Sequence, residues 1–173
     1  MLKAIEQRRA CRKYSDRPVE KEKIEEIVKA GLLAPTGMNR QTPVIIAISD
    51  KETRNALAKL NKKVMTGGFP FPGDTFYGAP VILLVIANKD GISIHDGAAT
   101  IENMLLEATN QGLGSCWIHR AKEEIESEKC RKLLSFTGLN FDDYVGIGHV
   151  IIGYSEMDKY PEKKINEGRV FYK

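Results

Sequence analysis

Residues Pro80–Ala87 read Pro-Val-Ile-Leu-Leu-Val-Ile-Ala, an apolar run of eight with no polar break. Eight residues make a strand and fall far short of the roughly 20 that a membrane-crossing helix needs. A strand without polar alternation has no face to offer water, so this segment predicts a central strand. A chain of 173 residues is long enough to bury a core around it, and the expected domain count is one, covering 1–173.

The rest of the chain alternates helical and extended patterns. Leu2–Arg9 predicts a short helix and Lys13–Pro18 a connector. Glu20–Leu33 predicts a longer helix with Ile24, Ile27, Val28 and Leu32 on one face and Lys and Glu opposite. Pro35 and Gly37 break it, and Ala34–Thr42 reads as an ordered loop. Pro43–Ser49 is a β-branched strand, and Asp50–Lys63 a helix capped by Ser49 or Asp50. Met65–Gly78 combines Gly, Pro and aromatic residues as a loop. His95–Gln111 is apolar around most of its circumference, through Ala98, Ile101, Met104, Leu105, Leu106 and Ala108, which predicts a buried helix ended by Gly112. A strand over Leu113–His119, a helix over Lys122–Phe136 and a strand over Tyr144–Tyr154 follow. From Ser155 the chain is polar with little periodicity. It ends Arg-Val-Phe-Tyr-Lys, which either adds an edge strand to another subunit, burying Val170, Phe171 and Tyr172, or packs or frays on its own domain.

Charge is unevenly placed. Residues 1–17 hold six basic and two acidic groups and residues 159–173 hold five and two, so the ends carry a surplus of seven positive charges within an overall +3. Cations drawn to both ends of a mildly acidic domain suggest an anion held between them, and guanidinium forks suit phosphate oxygens. Three arginines within Arg8-Arg9-Ala10-Cys11-Arg12 exceed what a helix end requires, because like charges repel unless an anion sits among them. The basic groups lack interleaved aromatics, which argues against a nucleic-acid partner.

Several chemistries drop out. Three cysteines with no C-x-x-C pair fit a reducing cytoplasm, and Met1-Leu2-Lys3 runs straight into a polar helical pattern, the reading for a cytoplasmic protein without a signal peptide. Gly112-Leu113-Gly114 and Gly146-Ile147-Gly148 begin like dinucleotide fingerprints, but Trp117 and Ile151 occupy the third glycine positions. There is no P-loop, no G-x-S-x-G elbow and no metal spacing among His95, His119 and His149. Each histidine reads as a capping, surface or core-edge residue, with His119 weighted most because it ends an apolar strand beside Arg120. Cys116 reads as a small buried apolar residue.

Three segments ask for more than folding: the arginine cluster, the amide-bearing loop Ala34-Pro35-Thr36-Gly37-Met38-Asn39-Arg40-Gln41, and the strand Gly112-Leu113-Gly114-Ser115-Cys116-Trp117-Ile118-His119. Asn39 and Gln41 suit the donor and acceptor edge of a heterocycle, and the strand backbone suits a flat ring. Taken in order with Ala79–Ile86 and the late Ile151-Ile152-Gly153-Tyr154, these segments resemble the FMN-dependent nitroreductase family from about Ala4 to Tyr154.

The resemblance implies an α+β three-layer sandwich with a mostly antiparallel sheet, forming a homodimer with FMN in its interface. It puts Arg8, Arg9, Ala10 and Arg12 at the FMN phosphate, with Ala10 where the family usually has a serine. Pro35, Thr36, Gly37, Met38, Asn39 and Gln41 would reach the flavin from the partner subunit. Cys116, Trp117, Ile118, His119 and Arg120 would run along the ring and offer N–H groups near N5 and O4. Lys163 and Lys164 stand roughly where the family has a C-terminal phosphate-binding pair, with Arg169 a rival, and residues 155–173 would pack on the partner. Asn61, Lys62 or Lys63 would face the pyrimidine edge, and Phe69, Phe71, Phe76 and Tyr77 would wall the substrate pocket. The implied activity is NAD(P)H-dependent reduction of nitroaromatics, quinones or other conjugated acceptors by hydride transfer through flavin N5, with no side-chain acid or base and no metal. Two other readings stay open: a same-fold flavoenzyme of different chemistry (reductive dehalogenation, flavin breakdown, unsaturated-bond reduction) and a non-catalytic FMN-binding storage or sensing protein.

Overall fold

The computed structural model describes residues 1–70 and 72–173. Four strands form one antiparallel sheet in the order β1-β2-β4-β3: β1 Val44–Ile48, β2 Val81–Asn88, β3 Gly114–Ile118 and β4 Tyr144–Gly153. The apolar run is β2, one of the two central strands, with its first seven residues all buried. Its side chains alternate between two cores. Ile82, Leu84 and Ile86 join Leu57, Ile125 and Leu134 on one face; Val81, Leu83 and Val85 join Ile27, Ile101 and Met104 on the other. The unbroken apolar pattern follows, since both faces are covered by helices. The result is the α+β three-layer sandwich expected from the sequence.

α2 (Lys21–Leu32) and α4 (Ser93–Asn110) cover one face, with α1 (Lys3–Gln7) against α4; α3 (Lys51–Thr66), α5 (Ala121–Ile125) and α6 (Glu128–Leu133) cover the other. Asp50 caps α3 by accepting from the Thr53 N–H at 2.8 Å. α4 is the buried helix, and the Leu113 N–H closes its C-terminus on the Ala108 carbonyl at 2.8 Å, just after Gly112. Two expectations change. The single helix over 122–136 is two, because Ser127 turns extended and its hydroxyl accepts from the Cys130 N–H, a cap role serine prefers to a helix interior. On α2, Leu32 is 60 % exposed instead of buried, beside Leu33 at 74 %.

The Gly146-Ile147-Gly148 segment has a packing explanation. β4 bulges there: Val85 pairs with Gly148 and Ile86 with Gly146, which leaves Ile147 unpaired. A Cβ on Gly146 would lie 2.2 Å from the Ala121 carbonyl, and one on Gly148 would lie 2.2 Å from the Trp117 indole nitrogen. The glycines therefore let α5 and Trp117 approach the strand. Gly146→Ala is expected to lower stability by about 3 kcal/mol through overpacking, read as a fall in the urea midpoint at unchanged m-value.

The end of β4 is tied to the start of α2. Tyr154 donates to Glu20 Oε2 at 2.6 Å, and Arg17 pairs with Glu20 Oε1 at 2.7 Å while lying 3.9 Å over the Tyr154 ring. The Tyr154 hydroxyl first, then the Glu20 backbone and Arg17, hold the Glu20 carboxyl at about 2, below its ordinary 4.5. A depressed carboxyl stabilises above its unfolded value and loses that contribution as pH falls. Wild type is therefore expected to exceed Glu20→Gln in urea stability at neutral pH, with the gap closing between pH 4.5 and about 2.

Candidate functional site

Because β3 is an edge strand, one side of its backbone is not paired with β4. The N-terminal basic segment docks on that side. Ala10 bridges Ser115 in parallel, and the Cys11 N–H donates to the Ser115 carbonyl at 2.8 Å. The start of the tail lies over the same segment: the Glu156 N–H donates to the Lys13 carbonyl at 3.0 Å, and the Arg12 N–H meets Met157 Sδ at 3.2 Å. Cys11 and Tyr14 are buried beneath, and burial pushes the Tyr14 phenol far up.

The cations of this end divide into two groups. Lys13 pairs with Glu156 at 3.8 Å and Arg17 with Glu20. Arg8 has only a loose contact with Glu102 at 3.9 Å, Arg9 donates to the carbonyls of Glu6 and Arg8, and the Arg12 side chain has no hydrogen bond or ion pair among the described residues. Arg8 and Arg12 both lie close enough to Cys116 to favour its thiolate, but burial outweighs them and pushes that thiol up. Cys116 is thus a buried apolar residue flanked by two guanidiniums, not an activated nucleophile.

Three residues along β3 from Ser115, roughly 10 Å of extended chain, the strand ends at a cleft. This cleft of about 250 Å³ is lined by Asn61, Met65, Thr75, Tyr77, Trp117, Ile118, His119 and Arg120. Trp117 and His119 stack with ring centroids 5.8 Å apart. Tyr77 is 39 % exposed and held at a left-handed φ of 53° by Asp74, which accepts from the Phe76 and Gly78 N–H groups and is paired with Arg54. Arg120 is also left-handed, at φ 80°.

Phe76 departs from its expected place in the pocket wall. It is fully buried, 5.1 Å from the His149 ring, because its turn points it into the core while Tyr77 faces the cleft. Phe69 is exposed and does not line the cleft, and Phe71 lies outside the described residues. Asn61 is 1 % exposed, and its amide nitrogen donates to the His119 carbonyl at 2.8 Å and to Glu124, leaving no donor for a ring edge; Lys62 bonds the Gly73 carbonyl at 3.1 Å. Glu124 and His149 were not singled out as site residues by the sequence, yet both are 0 % exposed directly behind the cleft. The one available signal was a histidine inside the apolar stretch of β4, which must find a partner when buried.

The amide loop lies elsewhere. None of Pro35, Thr36, Gly37, Met38, Asn39 or Gln41 lines the cleft; the loop is fastened to the first turn of α4, where both Asp96 oxygens accept from the Gly37 N–H at 3.1 and 3.2 Å and Thr42 meets Ser93 at 2.7 Å. Met38, Asn39 and Gln41 all have φ between 50 and 55°, and Met38 is 80 % exposed. Three non-glycine residues in the left-handed region carry a backbone cost that the surrounding bonds must offset. Lys163 and Lys164 are exposed, in a stretch over 161–173 that forms no helix or strand. Among the described residues no helix is long and apolar enough to cross a membrane and no His, Cys, Asp or Glu cluster could hold a metal.

Known proteins share the sequence pattern and the fold. The family model described as "Nitroreductase family" matches residues 5–154. A protein of Archaeoglobus fulgidus named "Putative NADH dehydrogenase/NAD(P)H nitroreductase" is 32 % identical over 164 residues, spanning 91 % of this chain and 87 % of the relative. The crystal structure of a nitroreductase with bound FMN from Bacteroides fragilis superposes with a TM-score of 0.88 at 25 % identity, covering 98 % of this chain and 96 % of that one. An FMN-dependent nitroreductase from Clostridium difficile superposes with a TM-score of 0.80 at 29 % identity over 99 % and 98 %.

Removing the Asp96 carboxylate leaves the Gly37 N–H without its acceptor. Asp96→Ala is expected to cost about 2 kcal/mol and to open the segment 36–41 to proteolysis, read by urea unfolding and by mass spectrometry of limited digests.

Proposed function

The chain belongs to the nitroreductase family, and on that footing we propose that it is an FMN-dependent NAD(P)H oxidoreductase that works as a homodimer. The observation that carries the reading is the free edge of β3, with guanidiniums lacking close carboxylates at one end and an aromatic-walled cleft at the other. The residues fit the group: Arg8, Arg9 and Arg12 suit a dianionic phosphate, and Trp117, Tyr77 and the exposed backbone of His119 and Arg120 suit a flat ring with acceptor atoms on its rim. Bound there, FMN would take a hydride from NAD(P)H and pass two electrons to a nitroaromatic, quinone or related conjugated acceptor.

A second copy completes this site. The loop carrying Pro35–Asn39 and Gln41 is fastened to α4, largely exposed and absent from the lining of its own chain's cleft, which suits donation across an interface. Exposed Leu2, Ile5, Leu32, Leu33 and Met38 supply apolar surface for that interface. The tail over 155–173, with Ile165, Val170, Phe171 and Tyr172 exposed and Lys163 and Lys164 among them, would pack on the partner and bring its lysines toward the phosphate. Ala10 contributes no hydroxyl there, so the arginines carry more of the phosphate's binding.

Freshly purified protein is expected to be yellow, to bleach under NADH or NADPH in the absence of oxygen, and to recover its colour on adding a quinone or nitroaromatic. A stable oxidised spectrum with either nucleotide would favour the storage or sensing alternative, and bleaching without turnover on those acceptors would favour another flavin chemistry. Arg8→Ala combined with Arg12→Ala removes two charge-assisted contacts and is expected to weaken FMN binding at least about 100-fold. Full flavin content in that double variant would contradict the phosphate assignment.

A further inference from the structure

Behind the cleft three buried polar side chains from three elements form a chain of contacts that the proposed chemistry does not use. Asn61 on α3 is 1 % exposed, and Glu124 on α5 and His149 on β4 are 0 % exposed. Asn61 Nδ2 donates to the His119 carbonyl at 2.8 Å and to Glu124 Oε1. His149 Nε2 lies 3.1 Å from Glu124 Oε2, and neither atom has another partner among the described residues. His149 Nδ1 faces the Ile118 carbonyl at 3.4 Å, which requires the proton on Nδ1. Placing this cluster where apolar residues would fit is costly, and such a cost asks what the cluster achieves.

The answer lies in the two carbonyls it grips. In a regular strand, successive carbonyls point to opposite sides. Here the Ile118 carbonyl, at the position where β3 pairs with His149 of β4, is also met by the His149 ring, and the His119 carbonyl is held by the Asn61 amide. Across a trans peptide the N–H points opposite to the carbonyl. Holding the Ile118 carbonyl therefore turns the His119 N–H outward, and holding the His119 carbonyl does the same for the Arg120 N–H. Both residues are exposed, and neither N–H has an acceptor among the described residues.

We infer that Asn61, Glu124 and His149 are positioning residues that pin two adjacent carbonyls inward and so aim the His119 and Arg120 N–H groups outward as a paired donor for the electron-accepting rim of the flavin. This rests on the FMN reading above and deepens it. A donor pair fixed in advance favours the charge that the ring gains on reduction and costs no rearrangement when that charge appears. The reduction potential of the bound cofactor, more than its affinity, is what these three side chains set.

The test uses FMN-loaded protein and measures the midpoint potential, the oxidised-FMN dissociation constant and the single-turnover rate of reduction by NAD(P)H. Asn61→Leu and His149→Phe are expected to shift the potential to more negative values and to slow reduction about 10- to 100-fold, with a much smaller change in oxidised-FMN affinity. Glu124→Gln keeps an oxygen for Asn61 and gains an N–H for His149, so it is expected to retain the wild-type potential. A shift in Glu124→Gln as large as in Asn61→Leu would show that charge and not positioning is at work, and would overturn the inference. So would wild-type potentials in both Asn61→Leu and His149→Phe. Wild-type protein that takes up no FMN would fail the FMN reading first and this inference with it. Should the variants not fold, amide exchange in wild type decides: FMN is expected to protect the His119 and Arg120 amides above their neighbours, and equal exchange with and without FMN would overturn the inference.

Discussion

An edge strand turns one row of backbone groups to its neighbour and leaves the other row in need of partners. β3 meets that need in two ways along its short length. At its start the free side is covered by the chain's own N-terminal segment, through the Cys11 N–H and the Ser115 carbonyl. That covering brings Arg8, Arg9 and Arg12 to the edge. At its end, beside the cleft, the His119 and Arg120 N–H groups have no acceptor among the described residues. Cation and donor thus lie along one line because a single strand edge was left open.

The burial of β2 on both faces is what keeps that edge in place. Two cores, one under α2 and α4 and one under α3, α5 and α6, hold the sheet between them. β4 contributes its bulge at Ile147 and its two flanking glycines, which let α5 and Trp117 close on the strand. Closing α5 in this way is also what brings Glu124 to His149. The packing of the sandwich and the polar cluster behind the cleft therefore have the same cause.

Much of this was legible in the residues. The apolar run marked the central strand, the all-round apolar pattern marked α4 as buried, and Asp50 and Gly112 marked helix ends, because each rests on local periodicity or local backbone geometry. The arginine cluster stood out because like charges in one place need an anion. Phe76 and Tyr77 show where such reading stops. They are adjacent aromatics in one loop, and only the Asp74 turn decides that one enters the core and the other the cleft. Asn61 looked free to meet a ligand until α5 and the end of β3 were seen to occupy its amide.

The family resemblance added the α+β sandwich, and periodicity and charge in the chain alone marked a covered central strand, a buried helix, a cationic N-terminal segment and an ordered loop over Ala34–Thr42. These depend on neighbours a few residues apart, and that range is what a sequence displays. Which backbone groups stay unpaired, which of two aromatics is exposed and how His149 finds Glu124 depend on elements far apart in the chain meeting at one point. Only tertiary packing decides such contacts, because each is a compromise among several segments and none of those segments carries it alone.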